Sequence, residues 1–159
     1  MKWFGHGRRQ KKTNSQRTQT GLFGTLSERE RRTVEGFMHK RHYLAGEVVF
    51  DVGEEGQGLY VINSGQVALL LPEQPDKPLA SLQVDDYFGE FGLLDGWPRS
   101  AQARATEAAD LSVLSRNDFD KLMESHARIA SKIALTLARH LSANLRKMLA
   151  NTPPDAVSS

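Results

Sequence analysis

The stretch FGEFGLLDGWPRSAQARA, Phe88 to Ala105, decides how the chain is read. Glu90 stands nine residues before Arg99, with glycines at 89, 92 and 96 and a proline at 98 set around an otherwise apolar run. Tyr87 and Phe88 end a strand-like stretch, and Gly89-Glu90 open a short helical turn, EFGLLD, that Gly96 ends. A helix start exposes unpaired amides and the positive end of its dipole, which suits a phosphate. Glycines at 89 and 92 allow the backbone to approach a ligand closely. Pro98 fixes the main chain just before Arg99, whose planar fork of donors fits two phosphate oxygens. Glu90 is an acceptor only, so its partner in a sugar phosphate is a hydroxyl. The opposing reading of the same two charges is an ion pair that pins a loop.

Around this segment, from Arg41 to about Ser115, short β-type runs alternate with turn residues. The runs are VVF (48–50), LYVIN (59–63), QVALLL (66–71), LASLQV (79–84), QARAT (102–106) and LSVLS (111–115). Strands recurring about every ten residues point to an antiparallel barrel or sandwich. Asn63-Ser64-Gly65 reads as a hairpin turn, and the prolines of PEQPDKP (72–78) keep that connection out of the sheet.

Helices flank the β region. Ser27 followed by Glu30 fits a capping box at the start of a helix from about Glu28 to His39, with Val34, Phe37 and Met38 on one apolar face. After the strands, Asn117 is placed to cap DFDKLMES. Ile129, Ile133, Leu137, Leu141, Leu145 and Met148 then recur at spacings of four and three. They predict one amphipathic helix over 126–150, roughly 37 Å long at 1.5 Å per residue. So long a helix overhangs a small barrel, and its stripe covers either a ligand or the same helix of a second subunit.

Composition bounds the rest. At 159 residues the chain suits one domain with tails. The longest apolar run, Val67 to Leu71, is far too short to cross a bilayer, and no secretory signal is expected at the N-terminus. Cysteine is absent, which excludes disulfides, thiol catalysis and thiolate metal sites and fits a cytoplasmic location. Six of the 21 basic residues and none of the 19 acidic ones fall within residues 1–20, so the remainder carries a net charge of −4. The net +2 is therefore a property of the tail, which argues against a nucleic-acid-binding globular face. Residues 1–20 read as a flexible basic tail, with Trp3 and Phe4 beside cations able to touch a membrane or nucleic acid weakly. Residues 21–150 read as the domain and 151–159 as a disordered tail. The five histidines suggest no metal site, and no nucleophile elbow is present, so an enzyme is not expected.

The central segment resembles the phosphate-binding cassette of cyclic-nucleotide-binding domains: FGE, a short apolar helix, then PR, a small residue, Ala, and a later Ala. It matches in order and without a gap the form found in protein kinase A regulatory subunits, and the bacterial catabolite activator has a similar RSA and RA. Upstream, GEVVFDVGEEGQGLYVINSGQV (46–67) resembles the family's GE, apolar pair, FYVI and SGxV run. The resemblance covers about residues 22–150. It implies a mainly β fold, an antiparallel eight-stranded jelly-roll barrel with an N-terminal helix and a short plus a long C-terminal helix.

The same resemblance implies a ligand site. Arg99 would pair with the cyclic phosphate, helped by the amides of Ser100 and Ala101 and the Ser100 hydroxyl. Glu90 would accept the ribose 2′-hydroxyl, with Gly89, Phe91 and Gly92 alongside and Asn144 near the base. cAMP is the expected ligand, with cGMP or cyclic di-GMP as alternatives, and no cofactor or metal is expected. Movement of the long helix about a hinge near Phe119 to Ser125 would signal to an unidentified protein effector. A ligand-free protein of this fold, dimeric through its long helix, is the remaining alternative. Gly92, Ala103 and Leu59 replace the more usual alanine, valine and phenylalanine, and no DNA-binding domain is expected after the long helix.

Overall fold

The computed structural model describes residues 21–152. The tail read at 1–20, and all but the first two residues of that read at 151–159, lie outside the described residues.

Ser27 caps helix α1 (Glu28–Glu35) as its sequence requires. The Ser27 hydroxyl accepts from the Glu30 amide at 3.2 Å, and the Glu30 carboxylate accepts from the Ser27 amide at 2.8 Å. The helix ends four residues before the expected His39, because the chain turns at Gly36 and enters strand β1 (His39–Tyr43). HKRHY carries no apolar alternation, and four of its five residues are exposed. It is a strand because β8 (Ala109–Ser115) offers it a ladder, His39 opposite Val113 through to Tyr43 opposite Ala109. Those partners are 66 to 74 residues away in sequence, so no local signal announces them.

Two four-stranded antiparallel sheets form the jelly roll. The first has the order β1-β8-β3-β6, with β3 (Gly58–Ser64) and β6 (Tyr87–Phe88). The second has the order β2-β7-β4-β5, with β2 (Val48–Phe50), β4 (Val67–Leu70), β5 (Ala80–Leu82) and β7 (Gln102–Ala105). Asn63-Ser64-Gly65 is therefore not a hairpin turn: β3 and β4 lie in different sheets, and these residues carry the chain from one to the other. Gly65 has φ 81°, and a Cβ there would overlap the Ala108 carbonyl, so the corner demands glycine twice over. The hairpin is instead β4–β5, across the proline-rich connection.

Period-two side chains fill the space between the sheets with Phe50, Ile62, Val67, Phe88, Ala103, Ala105, Ala109 and Leu111. A second cluster joins the first sheet to the helices through residues such as Leu59, Val61, Leu114, Val34, Phe119, Leu122, Ile133 and Leu137. Each fully buried large side chain of this kind contributes roughly 1.5–3 kcal/mol relative to exposure.

Helix α3 (Arg116–Ser125) starts directly from β8, and its cap is Ser115 rather than Asn117. The Ser115 hydroxyl accepts from the Asp118 amide at 3.1 Å and donates to the Asp118 carboxylate at 2.6 Å. A strand-final serine already holds the extended backbone of a cap, φ −73° and ψ 158°, so the helix begins two residues earlier than Asn117 allows. Helix α4 (Ala127–Ala150) follows after a break at His126, where φ is −139°; the hinge expected at 119–125 thus falls inside α3 and the break lies just beyond it. Ile129, Ile133 and Leu137 of the stripe are buried, whereas Leu145 is 56% and Met148 68% exposed. The first half of α4 packs on its own domain, fastened by Lys132 Nζ donating to Glu30 at 2.8 Å, and its end, from Leu145 on, leaves its apolar residues exposed. Among the described residues, no helix is long and apolar enough to cross a membrane.

Two histidines do meet carboxylates. His39 Nε2 lies 3.0 Å from Asp118 and His42 Nδ1 2.7 Å from Asp110, both on the β1 side of the first sheet. Neither pair is part of a metal-holding group, of which there is none among the described residues.

Candidate ligand-binding site

The segment from Phe88 to Ala101 folds around one side chain. Gly89 takes φ 80°, a left-handed conformation, and turns the end of β6 into helix α2 (Glu90–Leu94). The chain then returns through Gly96 and Pro98 to Arg99, whose amide donates to the Glu54 carbonyl at 2.8 Å and whose carbonyl accepts from the Gly53 amide at 2.8 Å. These bonds direct Arg99 inward, where it is only 8% exposed.

Its guanidinium donates to backbone carbonyls, from Nη1 to Gly89 at 3.1 Å and from Nη2 to Gly58 at 2.9 Å. It sits over the Phe50 ring at 4.1 Å from the centroid, with Tyr60 at 5.9 Å. Phe50, Tyr60 and Phe88 form the aromatic floor, Tyr60 and Phe88 being stacked at 5.2 Å. Burial pulls the arginine's pKa down, and the neighbouring Tyr60, Glu54 and Glu90 oppose it; a guanidinium nevertheless stays charged in proteins. Nε is buried and has no hydrogen-bond partner among the described residues. A buried donor of a cation left unpaired costs on the order of 1–3 kcal/mol or more, so it is an open valence for an acceptor.

The glycines serve Arg99 before any ligand. A Cβ on Gly89 or on Gly92 would lie 2.8 Å from Arg99 Nη1. Gly92 is itself buried, and a Cβ there would also meet the main chain of Gly56 at 2.9 Å. Sequence reasoning assigned these glycines to close approach of a ligand; in the fold their lack of a side chain admits the guanidinium.

Glu90 and Arg99 form no ion pair with each other among the described residues, so the loop-pinning pair is absent. Both instead line one cavity of about 610 Å³. Of the residues singled out in the sequence, Gly89, Glu90, Phe91, Arg99, Ser100, Ala101 and Asn144 line it, and Gly92 does not. Ser100 and Asn144 are exposed, Glu90 and Ala101 partly buried, and Phe91 is 52% exposed at the rim. Tyr87 stands beside Glu90, and burial first, then that carboxylate, push its phenol up to about 12.

Sequence reasoning missed further polar residues of the wall: Asp85 and Asp86 just before β6, and on α4 Thr136 and His140. With Asn144 the latter two recur every four residues along α4, so one helix face presents all three. The His140 ring lies 5.2 Å from that of Tyr87. That spacing was legible, but the apolar stripe at 133, 137 and 141 is the stronger period and masks it. Trp97, 70% exposed, also lines the cavity.

The jelly roll thus carries a glycine-rich helical turn that presents a buried arginine and a carboxylate to one cavity, a candidate ligand-binding site. Residues 40–126 match the family model described as cyclic nucleotide-binding domain, more than half of the 159-residue chain. The chain belongs to that family. It is 35% identical over 122 residues to the cyclic AMP receptor protein of Thermus thermophilus, a match covering 76% of this chain and 56% of that protein. It is 31% identical over 102 residues to the cAMP-dependent protein kinase regulatory subunit of Emericella nidulans, covering 64% of this chain and 24% of that one. A solved cyclic nucleotide-binding domain from Methylobacillus flagellatus is similar with a TM-score of 0.74 at 25% identity, over 90% of this chain and 82% of that chain. The chain thus spans little more than half the length of the first relative and about a quarter of the second.

Proposed function

We propose that the chain is a non-enzymatic cyclic-nucleotide sensor of the cytoplasm whose ligand is cAMP. Arg99 pairs with the cyclic phosphate, with the Ser100 and Ala101 amides and the Ser100 hydroxyl completing the anion site. Glu90 accepts the ribose 2′-hydroxyl, and the base lies toward α4, beside Asn144. The observation that carries this reading is a continuous cavity of about 610 Å³, which joins the cassette residues 89–91 and 99–101 to the polar face of α4. Its volume suits a ligand of nucleotide size. The unpartnered Nε of Arg99 supports an oxyanion as the occupant. Occupancy at the α4 wall shifts the helix population, which a protein effector reads. The exposed Leu145, Met148 and Leu149 serve as the contact with a second copy of the chain.

Calorimetry with cAMP, cGMP and cyclic di-GMP, on the wild type and Arg99→Ala, tests the reading. cAMP is expected to bind at micromolar Kd or tighter, about −8 kcal/mol or better, and at least tenfold more weakly to the variant. Preference for cGMP would move the base assignment to the Ser100 side of the cavity. Binding of cyclic di-GMP that falls on removing residues 1–20 would replace the mononucleotide with a dinucleotide held by the tail. No heat with any of the three leaves a ligand-free interaction protein.

A further inference from the structure

Two arginines, not one, grip the cassette. Arg99 bridges the carbonyls of Gly58 and Gly89. Arg116 bridges the next pair along the same two segments: Nη2 donates to Gly56 O at 2.5 Å and to Gly92 O at 3.0 Å, and Nε donates to Gly92 O at 3.2 Å. The two bridges run side by side between the 56–58 turn and α2. Main-chain bonds anchor both to the same loop, Arg99 N to Glu54 O and Arg116 N to Gln57 O, each at 2.8 Å.

The packing is cut to fit this second bridge. Gly96 has φ 69°, and any Cβ there would overlap the Arg116 guanidinium. A Cβ on Gly56 would lie 2.6 Å from Gly92 Cα and 2.7 Å from the Trp97 carbonyl. Three glycines thus bring the turn, α2 and the loop after it within reach of one guanidinium.

Arg116 differs from Arg99 in where its own backbone leads. It is the first residue of α3, which packs against both α2 and α4. We infer that Arg116 is the positioning residue that ties the cassette helix to the C-terminal helices and carries the cassette's displacement to α3 and α4 when the site fills. The inference rests on the nucleotide reading above. A phosphate that engages Arg99 through its unpartnered Nε and the free N–H groups of the fork draws the guanidinium toward it, and the Gly89 carbonyl bonded to Nη1 follows, so α2 shifts at its first turn. Gly92, one turn on, is held by Arg116, and a planar fork bonded to two carbonyls transmits that shift directionally. The competing route is apolar, through Leu93, which belongs to the same buried cluster as Leu114, Phe119 and Leu122; non-directional contacts of that kind let elements slide.

Hydrogen exchange with and without saturating cAMP, on the wild type, Arg116→Ala, Arg116→Lys and Leu93→Ala, tests this. In the wild type cAMP is expected to change exchange both at 88–101 and at 116–150. In Arg116→Ala the cassette change persists and the change at 116–150 falls to less than a third. Arg116→Lys keeps the charge but not the fork and shows the same loss, and it decides the matter if the alanine variant does not fold. Leu93→Ala is expected to retain most of the helix response despite lower stability. A helix response of wild-type size in Arg116→Ala or Arg116→Lys overturns the inference, as does a wild type whose cassette responds while its helices do not. A wild type that binds no nucleotide overturns the functional reading and this inference with it.

Discussion

The guanidinium of Arg99 lies 4.1 Å from the centre of the Phe50 ring, at the base of the cassette. Phe50 comes from β2, 49 residues earlier, so the aromatic floor and the cassette depend on each other. A cation over a desolvated aromatic face contributes from about 0.5 to 2 kcal/mol. A double-mutant cycle of Phe50→Leu and Arg99→Gln, read by urea unfolding, is therefore expected to give a coupling energy in that range. A coupling near zero would show that the ring only fills space.

Gly89→Ala is expected to damage the site more than the fold. Its φ of 80° and the 2.8 Å approach to Arg99 Nη1 both oppose a side chain. A left-handed non-glycine residue costs on the order of 1–2 kcal/mol. Displacing the arginine costs binding as well, so cAMP affinity is expected to fall at least tenfold by calorimetry, while the far-ultraviolet circular dichroism stays that of the wild type.

The tie between α1 and α4 is expected to depend on pH. Hydrogen bonds from Lys132 first, then from the Ser27 amide, hold the Glu30 carboxyl below its ordinary value of 4.5. A carboxylate whose folded pKa is depressed adds stability above its unfolded pKa and loses it as pH falls through the folded one. The Tm difference between the wild type and Glu30→Gln should thus be present at neutral pH and shrink as pH drops below 4.5. A difference that is constant across this window would assign the effect to the cap's geometry alone.

Ser115 and Asn117 give opposite expectations. Ser115→Ala removes the acceptor of the Asp118 amide and is expected to cost about 1 kcal/mol in chemical unfolding. Asn117→Ala should stay within about 0.5 kcal/mol, the range of ordinary surface changes.

The two halves of α4 separate in the same way. Leu137→Ala, at a fully buried position, is expected to cost about 2–5 kcal/mol. Leu145→Ala, 56% exposed, should leave monomer stability within about 0.5 kcal/mol. If a second copy packs on this half, sedimentation will show a weaker dimer in Leu145→Ala and not merely a less stable fold.

Local chemistry carried much of this protein's structure. Ser27 and Glu30 are three residues apart, and a capping box closes within that distance, so the start of α1 was legible without neighbours. The four- and three-residue spacing of Ile129, Ile133 and Leu137 marked α4 for the same reason, and the order of glycines, glutamate, proline and arginine from Gly89 to Arg99 marked the cassette. What depended on distant partners was not legible. HKRHY became a strand because β8 paired with it, and Asn63-Ser64-Gly65 became a corner because β3 and β4 found partners in different sheets. The roles within the cassette belong to this second kind. The sequence by itself determined that an arginine, a carboxylate and glycines share one turn. Only the tertiary structure decided that the glycines make room for the arginine and that Thr136 and His140 close the cavity wall. It also decided that Arg116 holds α2 one turn beyond Arg99, because each of these contacts joins segments that chain entropy keeps apart until the two sheets and α4 pack.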